Sequence, residues 1–114
     1  MKIEYEPSGL AAILGQLLEQ RMNEEKIKIA KSLKGSLTIE AKDLNAASTI
    51  YFEEDKIMLK NEKGGKAVIS TDFQTLNELA SGKIGTFRTL RLMISGKLKI
   101  KGLRLVKRFQ KLLT

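Results

Sequence analysis

The run Ser95-Gly-Lys-Leu-Lys-Ile-Lys-Gly102, followed by Leu103-Arg-Leu-Val-Lys-Arg-Phe-Gln-Lys-Leu-Leu113, decides how this chain folds. Leu98 and Ile100 alternate with Lys97, Lys99 and Lys101, a period of two that predicts a short strand with one apolar and one basic face. Gly102 ends it. Beyond it Leu105, Phe109 and Leu112, with Val106 and Leu113 beside them, fall on one side at helical spacing, while Arg104, Lys107, Arg108 and Lys111 occupy the rest. Working back, Phe87, Leu90, Met93 and Ile94 form another apolar helical stripe closed by Gly96. Further upstream Thr71 and Gln74 stand three apart, the spacing of a capping box, with Asp72 adding negative charge at a helix start. Phe73, Leu76, Leu79 and Ala80 give that helix its apolar face, and Gly82 is its expected stop.

The preceding residues begin with a helix and change period once. Pro7 and Ser8 suit a helix start, and Leu10, Ile13, Leu14, Leu17, Leu18 and Met22 follow at helical spacing. Glu24, Glu25, Ile27, Ala30 and Leu33 suggest a second helical stretch ending at Gly35, and Asn23 is compatible with either a break or one continuous helix. Leu37, Ile39 and Ala41 then point one way and Thr38, Glu40 and Lys42 the other, a half-buried strand. Residues 42–45 turn, residues 49–53 make a second strand around Ile50 and Phe52, and residues 56–60 a third with Ile57 and Leu59 inward. Residues 61–65 read as a longer hairpin loop before a fourth strand over residues 67–70. Residues 2–6 alternate but are too short to assign. Short connections of this kind favour antiparallel pairing. The sum is an α+β arrangement, helices over one sheet face, in one domain of 114 residues.

Composition narrows the chemistry. Without Cys there is no disulfide framework, thiol nucleophile or thiolate metal site, and without His the commonest general base and transition-metal ligand are missing. Ser81-Gly-Lys83 and Ser95-Gly-Lys97 lack the upstream Gly and the hydroxyl residue that a phosphate-binding P-loop needs. Adjacent acids at Glu24-Glu25 and Glu53-Glu54-Asp55 read as solvated, and no Ser has a His to activate it. No enzyme, cofactor or metal is expected. Neither a signal peptide nor an apolar run of about 20 residues is present, so the expectation is a cytoplasmic protein. The charge is divided along the chain: residues 1–78 carry 11 Lys+Arg against 13 Asp+Glu, and residues 79–114 carry 10 Lys+Arg and no acid. That imbalance exceeds what a solvated surface needs and suits an anionic membrane, where each Lys or Arg is worth ~1 kcal/mol. Nucleic acid is disfavoured, because Phe87 and Phe109, the aromatics of the basic third, fall on apolar helix faces and leave nothing to stack on bases.

Gly96-Lys-Leu-Lys-Ile-Lys-Gly102, set between an apolar turn-and-helix and an amphipathic last helix, resembles the sterol-carrier-protein type 2, or non-specific lipid-transfer, family. The resemblance extends over nearly the whole chain. It departs at Leu103, where the family commonly has an acid or Asn, and in the short loop between the first two strands of the meander. It implies a five-stranded mixed, mostly antiparallel sheet whose helices enclose an apolar tunnel. The implied ligand is a long-chain lipid, whether fatty acid, fatty acyl-CoA, phospholipid or sterol-like, bound without catalysis. The residues it assigns to the wall are Ile13, Leu17, Ile69, Leu76, Leu79, Phe87, Leu90, Met93, Ile94, Leu105, Phe109, Leu112 and Leu113. Periodicity by itself makes these ordinary core positions. Arg88, Arg91, Arg104, Lys107, Arg108 and Lys111 would meet a membrane or an acidic head group. An accessory module in lipid or quinone metabolism, with an acidic protein partner, is the alternative; the oligomer would be a monomer or an edge-paired dimer.

Overall fold

The computed structural model describes residues 1–80 and 86–113, except for the side chains of residues 86, 87, 89 and 90. In chain order the elements are β1 (Lys2–Tyr5), α1 (Gly9–Arg21), α2 (Glu24–Ser32), β2 (Gly35–Ala41), β3 (Ala46–Phe52), β4 (Lys56–Lys60), β5 (Ala67–Thr71), α3 (Phe73–Ala80), α4 (Thr86–Ile94), β6 (Lys99–Lys101) and α5 (Leu103–Leu113). The sheet has six strands rather than the expected five, in the order β1-β4-β3-β2-β5-β6. The addition is β1, which lies parallel to β4 with Ile3 opposite Ile57. Four residues cannot declare a partner more than fifty positions away, so local alternation had nothing to report.

The connection between β4 and β5 is not a hairpin. β2, β3 and β4 do pair antiparallel, but β5 pairs parallel with the far side of β2. Residues 61–66 therefore cross the outer sheet face, over β3 and β2, held by a chain of hydrogen bonds. The Gly65 N–H donates to Thr38 Oγ1 (2.8 Å), the Thr38 and Thr49 hydroxyls are 2.7 Å apart, and Thr49 Oγ1 donates to the Glu62 carbonyl (2.7 Å). A Cβ on Gly65 would lie 2.6 Å from Thr38 Oγ1, so the crossing strand-cover needs glycine there. Thr38 and Thr49 are buried although their alternation points them away from the helices.

Helix ends follow their caps. Asn23 breaks the first helical stretch, its side chain accepting from the Lys26 N–H (2.8 Å) as the N-cap of α2. Ser8 is the N-cap of α1 but its side chain makes no capping bond; the remote Asn61 supplies one instead, accepting from the Ala11 N–H (2.9 Å) and donating to the Ser8 carbonyl (2.7 Å). At α3 the cap is one residue later than Thr71: Asp72 Oδ1 accepts from the Thr75 N–H (2.7 Å), and Thr71 completes β5. α2 ends at Ser32, so Gly35 opens β2 rather than capping the helix. The expected stop at Gly82 lies outside the described residues. The last carbonyls of α5 receive Arg21, which donates to Leu113 O (2.6 Å), and Lys26, which donates to Lys111 O.

One apolar core joins the helices to the inner face of the sheet. Leu37, Ile50, Ile57 and Leu59 are fully buried against Leu18, Leu33 and Leu112, with the Phe52 and Phe109 rings 6.0 Å apart. This packed half lies over β2, β3 and β4. The half over β5 and β6 is different.

Candidate functional site

Three isoleucines stand side by side across the sheet: Ile39 on β2 is the register partner of Ile69 on β5, which is the partner of Ile100 on β6. They form the floor of a cavity of about 330 Å³. Its roof comes from Leu76, Leu79 and Ala80 of α3, Met93 of α4, and Leu103, Val106, Phe109 and Leu113 of α5, with Leu14 of α1 at one side. Lys107 and Gln110, both on α5, are the only lining residues with polar ends among those described.

The space exists because of how the roof is hung. The Asp72 cap starts α3, and hydrogen bonds to its carboxylate from the Thr75 N–H and hydroxyl hold its proton affinity below the usual range, so the cap stays ionised. Thr71 Oγ1, at the end of β5, donates to the Lys97 carbonyl (2.7 Å) and ties the α4–β6 connection to the sheet. Arg88 on α4 pairs with Glu78 on α3 at 3.2 Å. Phe109, the largest roof residue, packs on Phe52, toward the filled half of the core. Small residues, Ala80 and Val106, face the remaining gap. At the cavity's outer rim the apolar surface reaches solvent: Met93 is 36% exposed and Leu103 47%, and the neighbouring Ile94 is 80% exposed. Exposed Arg91, Lys97, Arg104 and Lys107 occupy the same chain segments.

The expected wall residues divide. Ile69, Leu76, Leu79, Met93, Phe109 and Leu113 are brought together around the cavity. The side chains of Phe87 and Leu90 lie outside the described residues. The remaining five do not line this cavity. Ile13 is 48% exposed, because it stands about 100° round α1 from Leu14, the residue that does face the cavity. Leu17 is half-buried at the edge of the core. Ile94 projects into solvent at the end of α4, and Leu112 is fully buried in the packed half. Leu105 lies about 200° round α5 from Leu103 and faces a different groove. Leu14, Ile39, Ala80, Ile100, Leu103, Val106 and Gln110 were not expected on the wall. The inward alternation of Ile39 and Ile100 carried part of that signal; choosing among the several apolar flanks of α5 required the neighbouring elements. All six of the expected basic residues, Arg88, Arg91, Arg104, Lys107, Arg108 and Lys111, are exposed, and Arg88 also pairs with Glu78.

The family model of the SCP-2 sterol transfer family matches residues 14–114. No curated protein sequence matches the chain. Among solved structures the fold is similar to that of UbiJ-SCP2, a ubiquinone synthesis protein, with a TM-score of 0.69 at 18% identity over 90% of this chain and 90% of that one. It is also similar to sterol carrier protein domain 2 of Helicoverpa armigera (TM-score 0.66, 17% identity, 91% of this chain and 84% of that one). The apo form of sterol carrier protein 2 from Yarrowia lipolytica gives a TM-score of 0.63 at 14% identity, over 90% and 88% of the two chains. At these identities the likeness is one of fold. The family match, by contrast, covers nearly the whole sequence, and on that ground the chain belongs to the SCP-2 sterol transfer family.

Proposed function

We propose that this chain binds and carries a long-chain lipid in the cavity above Ile39, Ile69 and Ile100, without catalysis of its own and in the cytoplasm. The observation that carries the reading is a cavity of about 330 Å³ walled almost wholly by apolar side chains in a member of a sterol transfer family. A guest that fills the cavity with CH₂ groups gains ~0.8 kcal/mol for each one taken from water. Scaling from a 150 Å³ cavity that holds one benzene, about a dozen carbons fit. Longer tails would extend past Met93 and Leu103. Among the described residues the wall has no constellation of hydrogen-bond partners to distinguish one chain from another, so a broad ligand range follows.

Titration of delipidated protein with a fluorescent fatty acid tests this directly. Saturation at one ligand per chain is expected, and Ile100→Trp, which projects into the cavity from the sheet edge, should weaken it at least about tenfold with little change in melting temperature. Absence of saturable binding to any long-chain amphiphile would refute the reading.

Delivery to membranes is the second part of the proposal. Exposed Met93, Ile94 and Leu103 at the rim, with Arg91, Lys97 and Lys107 around them, suit an anionic bilayer surface into which the rim could press. The likeness to UbiJ-SCP2 supports a second reading, an accessory module of quinone metabolism working through a protein partner. Native mass spectrometry of freshly purified protein separates the two: co-purified lipid favours the carrier, a bare mass the accessory module.

A further inference from the structure

We infer that the chain has a second ligand site, a basic groove on the other flank of α5, which takes an anion of the organic diphosphate or triphosphate class. The groove encloses about 420 Å³ and is separate from the lipid cavity. Three segments distant in sequence converge on it. Lys34 comes from the α2–β2 connection and Ser36 from the start of β2, Lys66 from the end of the crossing segment, and Arg104 and Arg108 from the first turns of α5. The convergence is built into the fold. The Lys66 N–H donates to Ser36 Oγ (3.0 Å), Leu37 is the register partner of Ala67, and Gly102 presses on Ala67 so closely that a Cβ there would stand 2.8 Å from its methyl. At φ +75° Gly102 also adopts a backbone conformation that favours glycine, so α5 is set against the start of β5 at this point.

The charge is one-sided. Lys34, Lys66, Arg104 and Arg108 line the groove, and among the described residues no Asp or Glu does. Among the described residues the ion pairs engage other bases and none of these four. Arg104 and Arg108 are four apart on one helix face, an arrangement of like charges that opposes helix formation unless an anion joins them. Their planar guanidinium groups offer paired donors that match phosphate oxygens. A phosphate monoester carries about two negative charges at neutral pH. Four cations therefore match two or three linked phosphates better than one. The concave shape favours a soluble anion over a flat array of lipid head groups.

Isothermal titration of the full chain with inorganic tripolyphosphate, at about 0.15 M salt, tests the site. One saturable site per chain is expected. Arg104→Gln with Arg108→Gln should weaken it at least about tenfold, and Lys34→Gln with Lys66→Gln should do so independently. Lys60→Gln with Lys99→Gln, which removes the same charge elsewhere, should leave it within about twofold. Fluorescent fatty acid binding by the Lys34→Gln, Lys66→Gln variant should be unchanged, which keeps this result distinct from any failure of the lipid reading. Equal weakening by the Lys60 and Lys99 variant, absence of saturation, or binding to phosphatidic acid vesicles but not to tripolyphosphate would each overturn the proposal.

Discussion

At Thr38 a single hydroxyl links two layers of the molecule. It accepts from the Gly65 N–H and adjoins the Thr49 hydroxyl, which donates to the Glu62 carbonyl, so donors and acceptors close without a gap. Thr38→Val removes the middle of that series and leaves the part-buried Gly65 N–H unpaired. The expected loss is about 1–3 kcal/mol, read by urea unfolding. Gly65→Ala should cost a similar amount, about 1–3 kcal/mol, because its methyl meets Thr38. A pH dependence belongs to the same surface. Hydrogen bonding from Ser70, and then Lys63, holds the Glu40 carboxyl below its ordinary range, and the Thr75 bonds do the same for Asp72. A depressed carboxylate pKa contributes stability above the unfolded value and loses it as pH falls through the folded one. Melting temperature should therefore be steady above about pH 5 and decline below about pH 4, and Glu40→Gln should shallow that decline. Residues of this kind are poorly legible in sequence. Alternation places Thr38 and Thr49 on a wet face, and only the crossing segment, brought from beyond β4, makes them interior.

Elements were readable where their signal is local. The period of α5 is written in eleven residues, and its bounds at Leu103 and Leu113 match the expectation. β4 likewise spans the expected Lys56–Lys60. Thr71 and Asp72 are both acceptable helix starts, and the choice between them depended on β5 extending to Thr71 to pair with Ala41. The parallel pairing of β5 with β2 was hidden, since a five-residue loop satisfies a hairpin equally well on local grounds. α5 itself depends on distant help at its far end. Arg21 reaches the carbonyl of Leu113, whose side chain borders the cavity. Arg21→Ala should cost about 1.5–3 kcal/mol and speed amide exchange in the last turn of α5, where a uniformly destabilised protein would show no such focus.

Over the whole molecule, the third of the chain that carries the excess positive charge also supplies most of the cavity's lining. The sequence displayed the charge plainly, yet it could not display the cavity, because packing density is a property of neighbours rather than of a pattern. Coupling of the two at the rim leads to a measurable expectation for membrane docking. Partitioning onto vesicles rich in anionic lipid should fall by about fivefold for each of Arg91, Lys97 and Lys107 changed to Gln, or ~1 kcal/mol apiece. It should nearly vanish near 1 M salt, where screening reaches only about 3 Å. Partitioning that ignores salt would point to insertion of Met93, Ile94 and Leu103 alone.

The row Ile39–Ile69–Ile100 has one more effect. In β6 the flanking positions are Lys99 and Lys101, and the pleat turns every side chain over when a strand slides by one place. A misaligned β6 would thus push an ammonium group into grease instead of a methyl, a penalty far above that of a merely loose fit. The greasy compartment and the correct alignment of the outermost strand are accordingly one decision: a molecule that has assembled its edge wrongly has no place for a hydrocarbon, and cannot pass as a working copy.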